Sequence, residues 1–110
     1  MTKLHDMTLT ELGAGLSAKK FSSREIVDAL LGRIEKADGK LHAFTEVYAR
    51  EAKALADAAD TARASGFPLG PLHGLPMAYK DLCDIKGRTG TGGSKMWEKR
   101  VATETSNTVE

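Results

Sequence analysis

Two segments of the same form, Thr8-x-x-Glu11 and Ser22-x-x-Glu25, most constrain how this chain can fold. In each, the hydroxyl can accept from a backbone N–H three residues on, while the glutamate reaches back to the first amide. Met7 with Leu12, and Phe21 with Ile26, stand where a hydrophobic staple would close over each box. Two helices are therefore predicted to start here. The first carries Leu9, Leu12 and Leu16 on one narrow stripe. Gly13 and Gly15 weaken it, each by roughly 1 kcal/mol relative to alanine. The second has a wider apolar face of Ile26, Val27, Leu30, Leu31 and Ile34, with Arg24, Asp28, Arg33 and Lys36 directed elsewhere. Gly39 is the predicted left-handed residue that ends it.

The periodicity then shortens. Leu41 to Tyr48, with Phe44, Thr45, Val47 and Tyr48, suits a strand and is too brief for a helix. A third helix is predicted over residues 49–65, with Ala52, Leu55, Ala56, Ala59 and Ala62 at helical spacing. Alanines bury little area each but let another element approach closely. Gly66 and Pro68 are the predicted stop.

The next stretch, Pro71 to Leu82, reads PLHGLPMAYKDL. Period-two counting places Ala78, Lys80 and Leu82 on one face of a short strand. Apolar neighbours would strip water from the amine and disfavour its charged form. A lysine that works as a base near neutral pH must fall from about 10.4 to about 7, roughly 4 kcal/mol of differential solvation. On the residues alone, a solvated or structural lysine is the commoner alternative, because an unpaired buried charge is costly.

Gly87, Gly90, Gly92 and Gly93, interleaved with Thr89, Thr91 and Ser94, form a loop whose backbone can approach a ligand. A flexible connection and a wall of a substrate site both fit it. It matches neither the phosphate-loop nor the dinucleotide pattern, and Met96 stands where a nucleophile elbow needs glycine. His5, His42 and His73 have no metal-ligand spacing with one another or with Cys83, so no metal or cofactor is expected. Cys83 is read as a small buried apolar residue; Asp81 and Asp84 could form an acidic pair, with turn or surface roles the commoner alternative. Asn107 to Glu110 resembles the first turn of a further helix, as if the chain were a fragment.

Composition narrows the setting. Sixteen basic against fifteen acidic residues leave a net charge of +1, which gives no electrostatic argument for nucleic acid or an anionic membrane. No run approaches the ~20 apolar residues of a membrane span. The first ten residues lack an apolar signal-peptide core, and a single cysteine suits a reducing cytoplasm. Leu, Ile, Val and Phe number 22 of 110 residues, lean for a self-sufficient core.

The segment Gly74-Leu75-Pro76-Met77-Ala78-Tyr79-Lys80-Asp81 resembles the GIPxxxKD segment of the amidase signature family, the serine hydrolases with a Ser–cis-Ser–Lys triad. The resemblance extends to the Ser22-Ser23-Arg24-Glu25 helix start, the Asp38-to-Phe44 turn, the Pro71-Leu72-His73-Gly74 lead-in and the Gly93-Ser94 loop. It implies an α/β fold in which residues 1–110 are the N-terminal part of a single amidase domain, helices plus the first strands of a mixed sheet. It implies that Lys80 is the catalytic lysine, and it brings Gly93 and Ser94 forward as substrate-binding residues. The implied reaction is hydrolysis of a small-molecule amide through an acyl-serine. The implied partner is the remainder of the amidase domain, with a homodimer left open.

Tyr79 stands where the family more often has an aliphatic residue. None of Ser17, Ser22, Ser23, Ser65, Ser94 and Ser106 lies in the context of the family's bridging or nucleophilic serine. Two alternatives stay open: the glutaminase subunit of a tRNA-dependent amidotransferase, and an inactive fragment or helical interaction module.

Overall fold

The computed structural model describes residues 3–67 and 69–109. Its contacts group into two compact units, residues 1–76 and 77–110.

The first unit is helical: α1 (Leu9–Ser17), α2 (Ser23–Leu41) and α3 (Ala49–Ala64), preceded by a single 3-10 turn at Leu4–Asp6. The Thr8 box forms in full. Thr8 Oγ1 accepts from Glu11 N at 3.1 Å, and Glu11 Oε2 accepts from Thr8 N at 3.0 Å. The Ser22 box forms by half, with Ser22 Oγ accepting from Glu25 N at 3.1 Å. The next two amides of the helix start bond to α3. Asp60 Oδ1 accepts from Ser23 N at 2.7 Å and Asp60 Oδ2 from Arg24 N at 3.0 Å. One carboxylate from a neighbouring helix thus satisfies two of the amides that a helix start leaves unpaired.

Leu12, Leu16 and Ile26 form the core cluster, with Met7, Phe21, Leu30 and Leu75 packed against it. Both staple residues therefore reach the cluster that holds their partners. Burying Leu16 and Ile26 contributes about 1.5–3 kcal/mol each. Gly15 has a packing role that its helix propensity conceals: a Cβ there would lie 2.1 Å from the Phe21 ring.

Several expectations are corrected. Leu9 and Leu55 sit on predicted apolar stripes but stay exposed. Helix α2 runs through Gly39 and ends at His42, which takes the left-handed conformation at φ 50°. The local cause is Asp38, whose Oδ1 accepts from Ala43 N at 2.7 Å and Phe44 N at 3.2 Å. That side chain stabilises the turn without glycine, and histidine tolerates the left-handed region better than most residues. At the end of α3, Gly66 takes φ 77° as a stop requires, whereas Pro68 lies outside the described residues.

The predicted strand at residues 41–48 is absent: Leu41 ends α2, and residues 42–48 are irregular, with Phe44 and Val47 exposed. Among the described residues there is no strand, so the α/β expectation is not met by this chain. The nearest approach is an isolated antiparallel bridge between Thr89 and Val101. A strand exists only with a partner to complete its hydrogen bonds, and none of the described residues supplies one for residues 42–48 or 76–80.

The helix junction predicts unequal losses in urea or thermal unfolding followed by circular dichroism. Asp60→Ala removes two charge-assisted bonds at a helix start and should cost about 2 kcal/mol. Asp57→Ala breaks only its exposed ion pair with Arg24 and should cost less than about 1 kcal/mol. Equal losses would place the strength of the junction elsewhere.

Gly39 gives a test of opposite sign to the sequence expectation. A Cβ there meets nothing within 4 Å, and its φ is not positive. Gly39→Ala should therefore stabilise by up to about 1 kcal/mol. A left-handed glycine would show a loss instead.

Candidate functional site

The lead-in to the lysine segment is fixed by hydrogen bonds within the first unit. Ser23, 2% exposed, donates its hydroxyl to Gly74 O at 2.6 Å. Arg63 donates to His73 O at 3.0 Å, and His73 Nε2 lies 3.0 Å from Ala59 O. A carbonyl can only accept, so that ring nitrogen carries the proton. Gly74 takes φ 82°, and a Cβ there would stand 3.4 Å from the Ser23 side chain. The left-handed φ is what calls for glycine here, the Cβ distance being an ordinary contact.

Lys80 belongs to the second unit and is exposed, as are Met77, Ala78, Tyr79 and Leu82. The dry strand face predicted for Ala78, Lys80 and Leu82 is therefore not present in this chain. No backbone N–H or C=O of Met77, Ala78 or Tyr79 has a backbone partner among the described residues. The first such bond is Cys83 N donating to Lys80 O at 2.9 Å. The Lys80 amine itself has neither carboxylate nor hydrogen-bond partner among the described residues. Cys83, predicted buried, is half-buried.

The glycine/threonine loop is ordered by two carboxylates. Asp81 accepts from Thr91 N at 3.1 Å and from the Thr91 hydroxyl, and its carbonyl accepts from Gly92 N at 2.8 Å. Thr91 passes this order onward: Gly93 N donates to its Oγ1 at 3.1 Å, and Ser94 N to its carbonyl at 3.0 Å. The two predicted substrate-binding residues are thus tied, through Thr91, to the residue next to Lys80. Gly93 is exposed and Ser94 half-buried.

Asp84 forms a two-pronged pair with Arg100, both contacts at 2.8 Å, and Arg100 lies 5.7 Å from the Trp97 ring centre. Gly90 is buried under this pair, where a Cβ would come within 2.8 Å of Asp84 Oδ1. Gly90 therefore serves internal packing rather than ligand approach.

The electrostatics follow the contacts. The Thr91 hydroxyl, with the Thr91 and Gly93 amides, holds the Asp81 carboxyl below the usual carboxylate range, with partial dehydration opposing. Hydrogen bonding from the Arg100 guanidinium does the same for Asp84. Both aspartates have the turn-forming roles expected of them, although their partners Thr91 and Arg100 had no signal in the sequence beyond hydroxyl and charge.

Serines other than Ser17 have structural bonds. Ser22 and Ser94 cap helical turns, Ser23 holds Gly74, Ser65 donates to Thr61 O, and Ser106 Oγ accepts from Asp84 N. Among the described residues no three His, Cys, Asp or Glu side chains could hold a metal, and no helix is long and apolar enough to cross a membrane. An open groove of about 820 Å³ in the first unit is lined by Leu9, Gly13, Phe67, Leu72 and Leu75, beside Lys19 and Arg63.

A family model described as Amidase matches residues 25–110. Among curated relatives, the A subunit of glutamyl-tRNA(Gln) amidotransferase from Chromohalobacter salexigens is 50% identical over 97% of this chain and 22% of its own length. The protein of the same name from Alcanivorax borkumensis is 46% identical over 97% of this chain and 23% of its own length. A solved structure, described as a vestigial protein complex that reveals the evolutionary origins of an s-triazine catabolic enzyme, superposes with a TM-score of 0.84. It is 38% identical, over 90% of this chain and 22% of that one. The chain spans about a fifth of the length of the proteins it matches.

The two lowered carboxyls set a direction with pH. Each aspartate is more acidic folded than unfolded, so its contribution is complete above the unfolded value of about 3.9 and is lost as pH falls through the folded value. In a ¹³C titration of the carboxyl carbons, Asp81 and Asp84 should have midpoints below about 3.9. Thr91→Val should raise the Asp81 midpoint and leave that of Asp84 in place.

Proposed function

The chain belongs to the amidase family, and on that premise we propose that it is part of an enzyme hydrolysing a carboxamide C–N bond, with Lys80 as the base. The observation that carries the reading is the placement of Lys80. It lies inside the family match, one residue before the Asp81 contacts, with no carboxylate or hydrogen-bond partner for its amine among the described residues.

In the proposed reaction, neutral Lys80 takes a proton from a bridging serine, which takes one from a nucleophilic serine. The nucleophile adds to the amide carbonyl, the C–N bond breaks, and the departing nitrogen receives a proton and leaves as ammonia or an amine. Water then cleaves the acyl-serine to the carboxylate. Both serines are proposed to come from outside these 110 residues, since the serines here have structural bonds or lack the family's context. Gly93 and Ser94 would line the substrate side. Dehydration favours a neutral amine, so the reading requires the remainder of the domain to cover Lys80.

The relatives' names favour one form of this reading, the glutamine-hydrolysing subunit of a tRNA-dependent amidotransferase working with partner subunits. The free thiol of Cys83 suits the cytoplasmic setting proposed for it.

The test is ammonia release from glutamine and simple carboxamides. The 110-residue chain alone should release none. A chimaera in which it replaces the matching residues of the Chromohalobacter relative, with whatever partners that relative needs, should be active. Lys80→Ala in that chimaera should lower kcat/KM at least about 100-fold. Lys80→Arg should fare no better, because a guanidinium cannot give up its proton. Activity retained by Lys80→Arg would exclude the role of base.

A further inference from the structure

Resting on the reading of Lys80 as base, we propose that Asp81 and Thr91 are positioning residues, a clasp that fixes the Gly92–Ser94 turn beside the lysine. A carboxylate one residue from a lysine that must work uncharged is a chemical liability, because a nearby negative charge favours the ammonium. The structure directs Asp81 away from that role. Both of its carboxylate oxygens accept from Thr91, and no ion pair joins it to Lys80 among the described residues. The same contacts organise the turn. The Asp81 side chain and carbonyl together take donors from Thr91 and Gly92, and Thr91 takes the amides of Gly93 and Ser94.

Packing does not hold this turn. Gly92 and Gly93 have φ 57° and 80°, and a Cβ on either would meet nothing within 4 Å. Two left-handed glycines in open space have many accessible conformations, so the clasp is what selects one. Its position one residue after Lys80 sets where the substrate-side turn stands relative to the base, and catalysis is sensitive to displacements of about 1 Å.

Two measurements separate the clasp from the reading beneath it. In the 110-residue chain, amide hydrogen exchange needs no catalysis. Asp81→Ala should speed exchange at Thr91 and Gly93 at least tenfold, and Thr91→Val should do so at Gly93. The Gly90 and Ala102 amides, bonded to Arg100 O and Arg88 O, should be unchanged. Unaltered exchange at Gly93 in both variants would overturn the clasp.

In the active chimaera, Thr91→Val should lower kcat at least tenfold with KM changed less than threefold, and Thr91→Ser, which restores the hydroxyl, should recover kcat to within threefold. Wild-type kcat in Thr91→Val, with Lys80→Ala inactive, would overturn the positioning role while leaving the base in place. Hydrolysis that is indifferent to Lys80→Ala would overturn the base, and the positioning role with it.

Discussion

The Asp60 carboxylate at the start of α2 is the contact on which the first unit depends. A helix start carries unpaired amides and a partial positive charge. Placing the answering carboxylate on α3 makes a local requirement of α2 into a bond between helices. With Asp60 on its amide, Ser23 keeps its hydroxyl for Gly74 O. His73 and Arg63 then fix the same turn against α3. The entry to the lysine segment is thus determined by groups far away in sequence, and by a glycine whose left-handed φ would strain another residue.

The second unit is organised differently, with few apolar contacts and much side-chain hydrogen bonding. Asp81 and Asp84 each close a stretch of chain, one onto Thr91 and one onto Arg100, and Ser106 and Thr105 add bonds to the amides of Asp84 and Lys86. Part-buried bonds of this kind contribute modestly each to stability. Their value here is geometric. Glycine-rich backbone has no preferred shape of its own, and bidentate carboxylates define one.

What was legible in the sequence was what depends on neighbours within a few residues. The Thr8 box, the start of α2, the alanine-rich α3 and the left-handed Gly66 all follow from short-range rules, and the structure contains them. Gly39 failed because two local devices competed: a glycine offered one helix end, and Asp38 built another three residues later. Gly15 and Gly90 looked like weak points or ligand loops, yet each makes room for a side chain that sequence spacing does not place beside it, Phe21 and the Asp84–Arg100 pair. The strands at residues 41–48 and around Lys80 failed for a further reason. Period-two patterning describes how a segment would sit in a sheet, and none of the described residues supplies that sheet.

That last failure bears on the chemistry proposed for Lys80. Met77, Ala78 and Tyr79 have backbone groups without backbone partners among the described residues, and the apolar side chains around the lysine are exposed. Both conditions are costly to leave unmet in a buried setting and harmless in water. A neighbouring strand would meet them together, completing the backbone bonds and covering the side chains of Ala78 and Leu82. The same cover would remove water from the amine between them. Under the amidase reading, sheet completion and activation of the base are therefore one event, and an incomplete sheet would leave a hydrated lysine unsuited to taking a proton from serine. The chain fixes the segment before the lysine through Ser23 and the turn after it through Asp81. On that reading, the condition the described residues leave unmet is the dehydration that would make the amine a base.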